Sequence, residues 1–185
     1  MTVTRTLVRT TYLELAAATA PRPPGRTKPD YELRRAAAAS PEFARFLYTA
    51  VGYRWNWTRR LGWTWAEWAN YLRRDGRETW VAYVGGTPAG YFEMATGAAE
   101  GVEITQFGLL PSFIGIGLGG YLLCDAVQRA RELRPGRVWL HTCSADHPHA
   151  LPNYRARGFR PFNEEAEYED VRGDVEPWPG AQAPH

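Results

Sequence analysis

The sequence predicts an α/β (α+β) domain on three observations. Helical periodicity alternates with runs rich in β-branched and aromatic residues. A four-glycine loop in FGLLPSFIGIGLGGYLLCDAV, residues 107–127, separates a strand-like run from a helix-like one. The 185 residues are enough for one domain with a substantial core.

Each element follows from local pattern. Residues 21–29, PRPPGRTKP, are too rich in Pro and Gly for a helix or strand interior and read as a linker. Residues 1–30 are therefore expected as a short N-terminal element plus linker, with a main body of residues 31–171. From Pro41 to Leu72 the pattern is helical. Phe43, Phe46, Leu47 and Ala50 share one stripe, and Trp65, Trp68, Ala69 and Leu72 another, so two helices with a bent junction are expected. TWVAYVGGTPAGYFEM reads as a hairpin around Gly85, Gly86, Thr87 and Pro88, with a third strand at Val102 to Leu110. Leu122, Leu123, Ala126, Val127, Ala130 and Leu133 recur at helical spacing before the Pro135-Gly136 stop. RVWLHTC is then a strand, Ala150 to Arg157 a short helix ended by Gly158, and the acidic run to Val171 a last strand. Residues 172–185 read as a flexible tail.

Composition excludes several classes. Lys and Arg total 22 against 20 Asp and Glu, a net charge of +2, and they are scattered, which argues against a nucleic-acid surface. Cys124 and Cys143 have neither metal-site nor disulfide spacing, which fits a reducing, cytoplasmic setting. The small-residue run Ala16 to Ala20 follows Arg5, Arg9 and Glu14 without an apolar stretch, so no signal peptide is expected. No run reaches the roughly 18 apolar residues of a membrane span. A soluble protein, monomeric or homodimeric, is the expectation.

The glycine loop has three readings. Gly115-x-Gly117-x-x-Gly120 meets the dinucleotide fingerprint, but roughly 20 positions on, where an acidic ribose ligand belongs, stand Trp139, Leu140 and His141. The triphosphatase loop fails because no Gly-Lys-Ser/Thr follows. The third reading uses the whole run: strand, Pro111, a turn, Gly117-x-Gly119, then an amphipathic helix. It resembles the pyrophosphate loop of the GNAT superfamily of acyl-CoA-dependent N-acyltransferases. The resemblance extends from about Tyr31 to Val171 and includes HPHALPNYRARGF, which is similar to the family's second signature in Ala150, Tyr154 and Gly158-Phe159.

The resemblance implies a central mixed, mostly antiparallel sheet flanked by helices, with a strand pair splayed around the acyl-CoA site. It implies acetyl-CoA as acyl donor, and no metal. Cofactor contacts fall on Leu109, Leu110, Ile114, Gly115, Ile116, Gly117, Leu118, Gly119, Gly120 and His147, the helix-start amides receiving the pyrophosphate. Ile114 stands where the family usually has Gln or Arg, and His147 where it often has Asn. Glu103, eleven residues before Ile114, occupies the place of the general base in the histone-modifying branch, with Glu93 in reserve. A base is needed because an amine of pKa about 10.4 is only about 0.04% neutral at pH 7. Tyr154 is the expected acid toward the departing thiolate, and an amide near Leu109 or Leu110 the expected oxyanion donor.

Residues 52–68, GYRWNWTRRLGWTWAEW, form the densest aromatic stretch and fall where the family borders its acceptor pocket. Tyr53, Trp55, Trp57 and Glu93 are the candidates for the acceptor, the aromatic rings suiting a flat or cationic amine. Arg59 and Arg60 keep open an acceptor bearing a carboxylate. His141 and Cys143, two apart on a strand, lack a third group to make a nucleophilic pair, and His141, His147 and His149 lack a metal partner set. The expected activity is N-acetylation of a small-molecule primary amine. The alternatives are a protein or peptide N-acetyltransferase and a non-catalytic acyl-CoA sensor.

Overall fold

The computed structural model describes residues 3–97 and 101–172. The elements are β1 (Val3–Leu15), β2 (Glu32–Arg35), α1 (Pro41–Gly52), α2 (Trp65–Leu72), β3 (Arg77–Val84), β4 (Thr87–Thr96), β5 (Val102–Leu109), α3 (Leu118–Leu133), β6 (Val138–Cys143), α4 (Ala150–Ala156) and β7 (Arg160–Arg172). A single 3-10 turn, Pro111–Phe113, follows β5.

Local chemistry explains the boundaries. Ser40 caps α1 by accepting from the Phe43 amide at 3.2 Å. Thr64 and Glu67 form a reciprocal capping box at the start of α2. Gly85 and Gly86 take φ of 54° and 78°, the left-handed conformation that a tight β3–β4 turn requires.

Seven strands form one sheet in the order β2-β3-β4-β5-β6-β1-β7. All neighbours are antiparallel except β5 and β6, which pair in parallel only at Val102↔Val138 and Glu103↔Trp139. Beyond those pairs β5 and β6 separate, leaving a gap in the middle of the sheet. Between Glu93↔Gln106 and Met94↔Ile104 the extra residue Thr105 makes a bulge, which bends β5 as it approaches the gap.

One core lies between the sheet and α3, with Leu13, Leu15, Phe92, Met94, Ile104, Leu123 and Leu140 fully or nearly fully buried. The opposite face carries α1 and α2 through Leu47, Val51, Val81 and Tyr91, and a smaller cluster of Ala44, Tyr48 and Trp68.

Two expectations change here. β1 is an interior strand between β6 and β7, not part of an element set apart from the main body, and it supplies Leu13 and Leu15 to the larger core. A Leu13→Val variant, losing one buried methylene, is expected to be about 1 kcal/mol less stable in urea unfolding. β2, a short edge strand, was not read from the sequence. Residues 173–185, expected as a tail, lie outside the described residues.

Candidate active site

The gap between β5 and β6 is where two cavities meet. One, of about 550 Å³, runs along the glycine loop and α4. The other, of about 490 Å³, opens on the face of the sheet that carries Glu103 and His141. Trp55, Trp57, Phe107, Asp146 and Tyr154 line both.

The first cavity ends at the start of α3, which carries partial positive charge. Gly117, at φ 91°, turns the chain into α3 as its N-cap and offers no side chain to the first-turn amides. Those amides have no intrahelical acceptor, and the 16-residue helix adds its positive end. Ile114, Gly115, Gly117, Gly119, Gly120 and His147, all expected here, line the wall. Ile116 is 46% exposed and Leu118 is fully buried, so both act through main chain only.

At the gap the strand supplies a second donor. The Leu110 amide donates to the Ala89 carbonyl at 2.9 Å, so it is unavailable to a ligand. That bond flanks the pair Gly90↔Leu109 and makes it a non-hydrogen-bonded pair, whose N–H and C=O point away from β4. The Leu109 amide therefore faces the side from which β6 has withdrawn. Of the two amides expected as oxyanion donors, geometry favours Leu109.

Tyr154 rises from α4 into the same place. It is 5% exposed, with the Phe107 ring edge-on at 6.0 Å and Phe159 at 6.3 Å. Burial first, and the Asp146 carboxylate second, push its phenol above the ordinary value of 10. The group therefore stays protonated near neutral pH and keeps a proton that it can donate to a hydrogen bond. Asn153, one residue earlier, donates to the Gly119 carbonyl at 3.4 Å and ties α4 to the start of α3. His147 packs edge-on against Trp55 at 4.6 Å; burial, then His149, lowers its pKa, which keeps the imidazole neutral near pH 7.

The second cavity has an acidic lining. Glu103, a quarter exposed, sits on β5 with His141 Nδ1 3.7 Å from its Oε1. Glu165, Glu167 and Glu169, spaced by two on β7, add their carboxylates from one face of the strand. Asp146 accepts from Trp57 Nε1 at 3.3 Å, Thr142 Oγ1 at 2.8 Å and the Cys143 amide at 3.2 Å, so it fastens the aromatic segment to the end of β6. Arg59 pairs with Glu169 at 3.3 Å, and Arg60 turns inward to Glu93 at 2.8 Å.

Sequence reasoning and geometry part at several residues. Tyr53 lines neither cavity. Glu93, the reserve base, also lines neither; it is buried in an ion pair with Arg60 and accepts from Tyr71 at 2.6 Å. Trp63 and Trp68 of the aromatic stretch pack on each other and on Tyr71, as core. Asp146, Asn153 and the β7 glutamates were not singled out from sequence. Only the period-two spacing of Glu165, Glu167 and Glu169 gave a signal for them. Among the described residues no group of three or more His, Cys, Asp or Glu is placed to hold a metal ion. No helix among them is long and apolar enough to cross a membrane.

The model of the acetyltransferase (GNAT) family matches residues 39–159. The chain belongs to the GNAT acetyltransferase family. No curated protein matches it by sequence. Among solved structures, a GCN5-related N-acetyltransferase from Sphaerobacter thermophilus is similar at a TM-score of 0.64 and 15% identity, over 94% of this chain and 55% of that one. A GCN5-related N-acetyltransferase from Kribbella flavida gives 0.60 and 20%, over 91% and 60%. The GNAT chain thus spans little more than half of each. An aminoglycoside acetyltransferase from an uncultured soil metagenomic sample, in complex with sisomicin, gives 0.55 and 16%, over 69% of this chain and 87% of that one. The splayed pair β5 and β6 in this GNAT chain forms the opening expected around an acyl-CoA site.

Proposed function

We propose that the protein transfers an acetyl group from acetyl-CoA to a primary amine of a small, positively charged molecule. The observation that carries this reading is the meeting of two unlike cavities at Tyr154: one ends at the uncapped start of α3, and the other is lined by carboxylates.

The donor's fit rests on chain geometry. The amides after Gly117 would hold the pyrophosphate, and the apolar walls Val51, Trp55, Phe107 and Ile114 would flank the pantetheine arm. When bound, acetyl-CoA supplies an activated thioester. The residues do the rest. Glu103 takes the amine's proton, directly or through a water, Leu109 N–H faces the negative charge that develops on the carbonyl oxygen, and Tyr154 hydrogen-bonds the departing sulfur.

The acceptor class follows from charge. Of the residues lining the acceptor cavity, Arg60 is neutralised by Glu93 and Arg59 by Glu169, which leaves Glu103, Asp146, Glu165 and Glu167 facing it. Carboxylates sharing a lining with Trp55 and Trp57 favour a cation over the carboxylate-bearing acceptor that Arg59 and Arg60 had left open.

Thiol release from acetyl-CoA tests the reading across a panel of diamines and polyamines, an aminoglycoside, free amino acids, and peptides with free N-termini or lysines. Turnover with the cationic small amines is expected. Turnover confined to peptides would replace the acceptor class with a protein substrate. Coenzyme A binding without any release would make the chain a sensor. On an active amine, Glu103→Gln is expected to lower kcat about 100-fold with coenzyme A affinity unchanged, since solvent water replaces the base only in part.

A further inference from the structure

We infer that the Pro-rich segment at residues 21–29 forms the outer wall of the pyrophosphate site, and that Arg26 is its anion-binding side chain. The inference rests on the reading of that cavity as a coenzyme A site, and it assigns to the chain's own N-terminal segment the polar grip that Ile114 does not provide.

The segment is bound along its length. The Arg22 amide donates to the Arg157 carbonyl at 3.0 Å. Tyr121, in the first turn of α3, donates its hydroxyl to the Pro24 carbonyl at 3.2 Å and also to the Arg26 carbonyl. Upstream, Arg131 of α3 holds the Ala16 and Thr19 carbonyls at 2.9 and 2.7 Å. These bonds lay Pro24, Gly25 and Arg26 against the glycine loop, where all three line the cavity.

Arg26 lies on Gly117 itself. A methyl placed on Gly117 would stand 2.8 Å from Arg26 Cδ and 3.3 Å from its Nη1. One step further along, a methyl on Gly120 would meet Arg157 Nη1 at 2.3 Å and the Pro24 ring at 2.7 Å. The bare glycines are therefore what admit the two guanidinium side chains and the strap to the helix start. Among the described residues neither Arg26 nor Arg157 has a carboxylate partner, and Arg157 Nε is buried without an acceptor. Two unpaired cations at the positive end of a helix repel both it and each other unless an anion lies between them. A diphosphate offers the charge and the acceptor oxygens that this cluster lacks, and a guanidinium suits it geometrically.

Calorimetric titration of the full chain tests this with coenzyme A and with dephospho-coenzyme A, which keeps the diphosphate and lacks the 3′-phosphate. Phosphate-free pantetheine is followed by the change in total tryptophan fluorescence, to which Trp55 and Trp57 contribute from the cavity wall. Arg26→Ala is expected to weaken both phosphorylated ligands about 10- to 100-fold, the range of a hydrogen bond to a charged group. Pantetheine should be unaffected, and Arg26→Lys should recover part of the loss. Arg26 is exposed, so the variants should fold normally. Equal coenzyme A affinity in wild type and Arg26→Ala overturns the inference alone. So does a loss confined to coenzyme A, which would move Arg26 to the 3′-phosphate, or an equal loss for pantetheine, which would make the segment a structural wall only. A wild-type chain that binds no coenzyme A removes the cavity reading as well.

Discussion

Tyr154→Phe is expected to lower kcat by about 10²- to 10⁴-fold while leaving coenzyme A affinity and thermal stability close to wild type. The substitution deletes one oxygen and keeps the ring, so the edge-on contact with Phe107 and the tilted contact with Phe159 survive. What disappears is the donor at the point shared by both cavities. Burial raises the Tyr154 phenol, so full proton transfer to sulfur is more uphill than for a solvated tyrosine, and the hydrogen bond itself carries most of the stabilisation. The loss should therefore appear in kcat and kcat/KM together, the mark of an interaction made mainly in the transition state. Unchanged turnover in single-turnover assays would remove Tyr154 from the chemistry.

Arg60→Ala and Glu93→Ala are each expected to destabilise the fold by about 3–5 kcal/mol, read from urea unfolding. The pair lies at 2.8 Å with side chains 12% and 3% exposed, beneath the rings of Tyr48, Trp63 and Tyr71. Removing either partner leaves the other charge buried without its counter-ion, which costs more than the pair itself contributes. Tyr71 adds a hydrogen bond at 2.6 Å, and burial, followed by Glu93, pushes its phenol up to about 12. Replacing both charges with apolar residues of similar volume should restore much of the loss. Glu93→Gln distinguishes a structural carboxylate from a catalytic one: turnover per folded molecule should stay within a few-fold of wild type, whereas a base at this position would lose far more.

How much of this was legible in the sequence depended on how local each signal was. The hairpin at Gly85-Gly86, the amphipathic α3 and the run from Ala150 to Gly158 carry their instructions within one turn or one helix face, and they form near the expected bounds. β1 does not. Its buried residues Val8, Thr11, Leu13 and Leu15 break simple alternation, and its partners lie in β6 and β7, so nothing nearby reveals its place. The glycine loop and Tyr154 were readable because the family motif is carried by residue type. The placement of Arg26 against Gly117 and the bond from Trp57 to Asp146 were not, because each joins residues about 90 positions apart. The aromatic stretch divided for the same reason: Trp55 and Trp57 reach the cavities while Trp63 and Trp68 fill space, and their spacing alone does not separate them.

The seat of β1 between β6 and β7 also governs how the molecule assembles. The Arg9 amide reaches Ser144 across 135 positions, and Tyr12 reaches Glu165 across 153. Loops of that length close late, so the half-sheet bearing the β7 glutamates should be the last part to consolidate, and high contact order should make refolding slow. On the ribosome, β1 would have to wait with one edge unpaired until β6 has emerged and the other until β7 has, a period in which a chaperone that shields strand edges would raise the yield of native protein.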